Sequence, residues 1–253
     1  MSEMAVGLLG LGLLILLFMT GIELAFAMLV IGFMGFGYLV SFSAASNLLV
    51  KDFFDTFTSY GFTVIPLFVL MGQVASYSDV AKRLYMAAHK FVGHIPGGLA
   101  MTTVVGATLF KAMCGSTLAT AATFAGIAIP EMDRFHYDKR LSTGVVASVG
   151  TLGMLIPPSI VLIIYGIVVE QSIGRLFLAG IIPGLIIALF FIFVIYGWVR
   201  INPRIAPMAP KVVLRERLRA LPEFVWVGVI FLIIMGGLMF GFFSPTEAGA
   251  GAP

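Results

Sequence analysis

The chain has 253 residues, of which 60% are hydrophobic and only 11% charged. A soluble domain of that composition would leave large apolar surfaces in water, so lipid is the solvent for most of it. The net charge of +3 is small, and its basic residues sit in short segments between apolar runs, which argues against a nucleic-acid partner.

Apolar runs fall at 4–19, 22–40, 62–75, 176–199 and 224–243, most of them near the roughly 20 residues that cross a hydrocarbon core of about 30 Å. Their apolar character is continuous rather than alternating, which predicts helices and not barrel strands. Residues 1–6 carry no Lys or Arg, and no small-residue cleavage site leads into a polar domain, so the first run reads as a retained span. Glu23 reads as a turn residue at the interface. Between the second and third runs, Asp52, Phe53, Phe54, Asp55, Phe57 and Tyr60 separate onto different faces of an interfacial amphipathic helix over 41–61. An external loop with aromatic anchors is the alternative.

From Pro96 to Pro130 the chain is apolar but broken at Met113-Cys114-Gly115-Ser116-Thr117. The second limb, 118–130, reaches only about 20 Å at 1.5 Å per residue, too little to cross. Basic clusters flank the piece on both sides, so both ends lie on one side of the membrane, as in a re-entrant hairpin. Two thin spans would return the chain to the same side too. A second interruption lies within 141–169, at Gly150-Thr151-Leu152-Gly153 and Pro157-Pro158-Ser159. Proline removes an amide donor and disfavours helix at the residue before it, so a broken helix is expected. A pair of interrupted segments marks the binding site of secondary transporters, where helix ends and unwound carbonyls coordinate ions and substrate.

Sodium favours hard oxygen ligands and needs no titratable group. Ser116, Thr117, Gly150, Thr151 and Gly153 supply hydroxyls and freed carbonyls at the two breaks, whereas Thr102, Thr103, Ala119, Ala121 and Ala122 read as close-packing positions. Lys111 is the only Lys or Arg well inside an apolar run. An intramembrane charge costs a few kcal/mol or more unless it meets water or a partner; Lys111 could attract an anionic substrate or pair with a carboxylate. Cys114, the single cysteine, excludes an intramolecular disulfide and reads as packing, and His89, His94 and His136 read as solvated. The sequence holds no Walker-type loop, no His/Cys/carboxylate cluster and no Gly-x-Ser-x-Gly elbow, so ATP coupling, a metal cofactor and enzymatic chemistry have no support.

The segments FKAMCGSTLATAATF (110–124), Ile129-Pro130-Glu131-Met132, Tyr137-Asp138-Lys139-Arg140, Gly150-Thr151-Leu152-Gly153, Ile156-Pro157-Pro158-Ser159, Glu170-Gln171-Ser172-Ile173-Gly174 and Ala179-Gly180-Ile181-Ile182-Pro183-Gly184 together resemble the large membrane subunit of TRAP transporters, the tripartite ATP-independent periplasmic family. Ile65-Pro66-Leu67-Phe68 and Ser244-Pro245-Thr246-Glu247-Ala248 extend the resemblance. It implies an all-α membrane protein with a re-entrant hairpin and a discontinuous helix, the first of two inverted halves plus one or two further spans, working as an elevator. It also implies sodium-driven uptake of an organic anion, such as a C4-dicarboxylate, across the bacterial inner membrane. The expected partners are a small membrane subunit, a periplasmic substrate-binding protein and the lipid bilayer, with sodium as coupling ion and no other cofactor. Carried over, Gly115, Ser116 and Thr117 with Gly150, Thr151 and Gly153 resemble one sodium site, and Lys111, Pro157, Pro158 and Ser159 border the substrate. Family members continue into a second half with its own hairpin, and this sequence resembles the N-terminal portion. Expected divisions are 1–95, mainly scaffold; 96–175, hairpin and broken helix; and 176–253, further spans with a basic loop. A channel or passive structural membrane protein is the rival class.

The basic residues cluster at 79–95, 133–140 and 200–222, and the positive-inside rule makes these segments cytoplasmic. Single cysteines at Arg134 or Arg217 in a Cys114→Ala background should resist an impermeant thiol reagent added outside intact cells. Prompt labelling at either position overturns the topology.

Overall fold

The computed structural model describes residues 2–208, 210 and 212–250, and among them there are helices, turns and no strand. Cα packing separates two units, Met1–Tyr60 and Gly61–Pro253.

The first unit holds α1 (Glu3–Met19), α2 (Leu24–Leu39) and α3 (Phe42–Thr58). Ser2 and Ser41 cap α1 and α3 by accepting from the amides of Ala5 and Ala44. Gly21, at φ +83°, turns the chain between α1 and α2, which is why α2 begins at Leu24 and not at the start of the apolar run. A Cβ on Gly37 would lie 2.7 Å from the Phe42 ring; without it, α3 folds closely back on α2. Leu8, Leu16, Phe26 and Met34 are all exposed, a surface that lipid and not water satisfies. The segment expected to be an amphipathic helix is helical as α3.

The second unit starts with a 3-10 turn running into α4 (Val64–Tyr77), followed by α5 (Val80–Val92), α6 (Gly98–Lys111), α7 (Thr117–Arg134) and α8 (Lys139–Thr151). After a short 3-10 segment, Leu152–Met154, come α9 (Ile160–Val168), α10 (Ile173–Ile201), α11 (Leu214–Phe240) and the single turn and a half of α12 (Pro245–Ala250). Among the described residues three stretches, Tyr60–Tyr77, Ile173–Ile201 and Leu214–Phe240, are long and apolar enough to cross a membrane. All three segments read as basic loops contain helix: α5 occupies the first, α7 ends and α8 begins inside the second, and α11 begins inside the third with Arg215, Arg217 and Arg219 in its opening turns.

The hairpin has its short limb first. The second limb, α7, does not stop at Pro130: the proline removes one amide donor without ending the helix, and α7 reaches 18 residues, about 27 Å. The first limb, α6, has only 14 residues, about 21 Å, and is the one too short to cross. It is also the centre of the unit. Leu99, Met101, Val104 and Phe110 are buried in the larger apolar cluster, which draws on α5, α7, α8 and α10. The Phe124 ring closes against Phe110 and Tyr85 with centroids 5.9 and 6.5 Å apart. The Tyr137 hydroxyl accepts from the Leu99 amide at 3.2 Å, satisfying a first-turn donor of α6. His89 and His94 depart from the solvated reading. The His89 ring is half-buried with Nδ1 unpartnered, and burial, opposed in part by Glu131, holds its pKa below the usual imidazole value; His94 lies 3.4 Å from Arg217.

The broken helix is fixed by α10. A Cβ on Gly180 would run into the Leu155 carbonyl oxygen, and one on Gly184 would stand 2.7 Å from Ile156 Cγ1, so the small face Gly180, Gly184, Ala188 lets α10 touch the non-helical backbone. Gly180→Val should destabilise the purified full-length permease by about 1–3 kcal/mol in thermal unfolding. Gly197→Ala, in the same helix with open space at its Cα, should cost nothing. Equal effects would remove α10 as the support of the break.

Candidate functional site

Two interruptions meet in the second unit. The hairpin tip, residues 112–116, joins α6 to α7, and residues 155–159 separate the 3-10 end of α8 from α9. Each following helix is capped by a serine: Ser116 Oγ accepts from the Ala119 amide at 3.2 Å, and Ser159 Oγ from the Leu162 amide at 3.4 Å. The Ile160 amide donates to the Gly115 carbonyl at 3.4 Å, so tip and break are joined by backbone. A Cβ on Gly115 would be 3.3 Å from the Pro158 carbonyl oxygen, and one on Gly150 3.2 Å from Ala121 Cβ and 3.9 Å from Thr117 Cγ2. Glycine is what allows both approaches.

Lys111 lies at the centre of this junction and is fully buried. Its Nζ donates to the Ser116 carbonyl at 2.6 Å; the same oxygen accepts from the Thr120 hydroxyl at 3.0 Å and the Thr120 amide at 3.2 Å. The rest of its chain fills the space beside Gly153, where a Cβ would collide with the ammonium group. Lys111 therefore neither snorkels nor pairs with a carboxylate: among the described residues the ion pair present is Arg134–Glu131.

The candidate residues thus fall into two groups. Gly115, Ser116, Thr117, Gly150, Gly153, Lys111, Pro157, Pro158 and Ser159 come together around the two breaks. Thr151 stands apart: it is exposed, with Oγ1 donating to the Ser148 carbonyl at 2.7 Å. Among the described residues, the carbonyls of Ala112, Met113 and Cys114 at the tip, and of Ile156, Pro157 and Pro158 at the break, accept no hydrogen bond. Sequence reading missed three supports. Gly72 of α4 faces the Cys114 thiol, which donates to its carbonyl at 3.6 Å; Phe68 packs near Gly115; and Gly180 underlies Leu155. The four-residue spacing of Gly180 and Gly184 was the available signal.

Chemically the junction offers both signs. Unpaired carbonyls are hard ligands for a small cation, and the N-termini of α7 and α9 carry positive dipole ends that favour an anion. Residues 11–252 match the family model described as "Tripartite ATP-independent periplasmic transporter, DctM component". The chain belongs to this family. Its relatives include the C4-dicarboxylate TRAP transporter large permease protein DctM of Pseudomonas aeruginosa, 42% identical over 84% of this chain and 49% of the relative. The ectoine TRAP transporter large permease protein TeaC of Halomonas elongata is 37% identical over 94% and 55%. The 2,3-diketo-L-gulonate TRAP transporter large permease protein YiaN of Escherichia coli is 32% identical over 91% and 53%. The chain spans about half the length of the relatives it matches. These relatives are named as large permease proteins of TRAP transporters.

The contact of Ala121 with Gly150 gives a direct check on the packing of hairpin against broken helix. Ala121→Cys with Gly150→Cys, in a Cys114→Ala background, should form a disulfide under mild oxidation in native membranes, because the two Cβ positions fall near the range such bonds need. Failure to cross-link in folded protein would separate the two elements.

Proposed function

We propose that this chain contributes one cation site and part of the substrate site of a sodium-coupled TRAP permease of the bacterial inner membrane. On this reading the permease carries a small organic anion, such as a C4-dicarboxylate, delivered by a periplasmic binding protein and taken up with a small membrane subunit. The observation that carries the reading is the junction of two interrupted helices with unpaired carbonyls and two helix N-termini at one place. Sodium would draw ligands from Gly115, Ser116, Thr117, Gly150, Thr151 and Gly153, while Lys111, Pro157, Pro158 and Ser159 shape the region that receives the carboxylate. Lys111 acts there as a positioning residue, since its ammonium holds the tip's Ser116 carbonyl. Residues 96–175 form the mobile part of an elevator, with 1–95 mainly scaffold and 176–253 further spans; the relatives' greater length supports a second half beyond this sequence.

A channel or passive structural protein would leave the junction as mere packing. Uptake by the full-length permease with its partners that saturates, accumulates solute against its gradient and collapses without a sodium gradient excludes that rival. Within that assay, Ser116→Ala or Thr151→Ala should raise the sodium concentration for half-maximal uptake about tenfold, the factor for one lost interaction of about 1.4 kcal/mol. Ser116→Ala also loses a helix cap worth about 1 kcal/mol, so expression and unfolding temperature are measured alongside. Unchanged sodium dependence in both variants returns these residues to capping and packing.

A further inference from the structure

Away from the junction, α5 and α11 border an open cavity of about 360 Å³ lined by Lys82, Arg83, Lys90 and Arg219, with the carboxylates of Asp79 and Glu223 also on its wall. Four basic against two acidic side chains leave a formal charge of +2, and among the described residues none of the four makes an ion pair. Helical spacing builds this wall. Asp79, Lys82, Arg83 and Lys90 fall on one stripe of α5, while Ala81, Leu84, Tyr85 and Ala88 on the other face are buried in the core. The Phe91 and Phe224 rings meet edge to face with centroids 5.5 Å apart, which fixes α5 against α11 and holds the basic groups opposite one another.

The position of the cavity along α11 decides what fits it. Arg219 and Glu223 occupy the last turns before the apolar stretch, and further along the same face of α11 Trp226 and Ile233 are exposed and Ile230 is half-buried. A basic cavity thus opens directly onto a lipid-facing strip, with an indole at the boundary where tryptophan marks the membrane interface. By the distribution of basic residues this is the cytoplasmic leaflet, which carries the anionic lipids. A free anion would gain only the charge; a phospholipid gains the charge and the apolar strip together, and the two carboxylates on the wall weigh more heavily against a soluble multivalent anion than against a singly charged phosphodiester.

We propose that this cavity binds the phosphodiester headgroup of an anionic phospholipid, with Lys82, Arg83, Lys90 and Arg219 around the phosphate and an acyl chain along Trp226, Ile230 and Ile233. The site is independent of the cation reading above.

The test uses the full-length permease in detergent, titrated with pyrene-labelled phosphatidylglycerol, with pyrene-labelled phosphatidylcholine as comparator and inorganic phosphate as competitor. Phosphatidylglycerol should bind more tightly, and less so as salt rises. Lys82→Gln, Arg83→Gln and Arg219→Gln should each weaken it about fivefold, the factor for one basic residue near a lipid surface. Arg134→Gln, outside the cavity, should change nothing, and Arg83→Lys should retain most of the binding. All three glutamine positions are exposed, and unchanged phosphatidylcholine binding and elution volume confirm folding. Equal binding of the two lipids, undiminished phosphatidylglycerol binding in the triple glutamine variant, or displacement of the lipid by inorganic phosphate at similar concentration would each overturn the proposal.

Discussion

An ammonium group taken out of water loses several kcal/mol of hydration unless protein groups replace it. Lys111 is fully buried, and the Ser116 carbonyl, five residues ahead, is its acceptor at 2.6 Å. That one bond constrains everything around it. It curls the end of α6 back over the start of α7, so the chain must reverse within residues 112–116. It also drives the lysine stem against the α8 break, where Gly153 alone among residue types leaves the necessary space. Hairpin and broken helix are therefore not two separate irregularities in apolar sequence. They are one structure seen from two sides.

The surroundings follow from that constraint. Residues 155–159 lack helical hydrogen bonding and need solid neighbours, which α10 provides through Gly180 and Gly184, and α4 lines the tip through Phe68 and Gly72. Ser116 and Ser159 satisfy the exposed amides of the helices that restart after each break. The groups left unsatisfied are carbonyls, and in a low-dielectric setting such groups persist where a ligand or water can meet them. An occupant of mixed character, a cation next to a carboxylate, matches carbonyls beside helix N-termini.

Much of this was legible in the residues. Apolar runs located α1, α2, α4, α10 and α11, because lipid imposes a length and a polarity that leave little freedom. The breaks at 112–116 and 155–159 were legible because Gly and Pro act locally. What escaped was decided by tertiary contact. Pro130 was read as an end of helix, yet α7 continues to Arg134 since a single missing donor does not outweigh the packing of the turns on either side. The helix of α5 was read as a loop because its basic residues dominated the count, although Ala81, Leu84, Tyr85 and Ala88 already formed a buried stripe. Lys111 was recognised as anomalous, but no sequence rule assigns a backbone carbonyl as its partner, nor Gly153 as the space it fills.

The coupling of Lys111 to Gly153 is the most direct measure of whether tip and break form one structure. Thermal unfolding of the full-length permease carrying Gly153→Ala, Lys111→Ala and both together closes a double-mutant cycle. If the ammonium stem occupies the space beside Gly153, the alanine methyl is harmful only while the lysine is present, the double variant is no less stable than Lys111→Ala alone, and the coupling is about 1–3 kcal/mol. Additive effects of the two substitutions would contradict the account, because they would mean that Lys111 and Gly153 do not share that space.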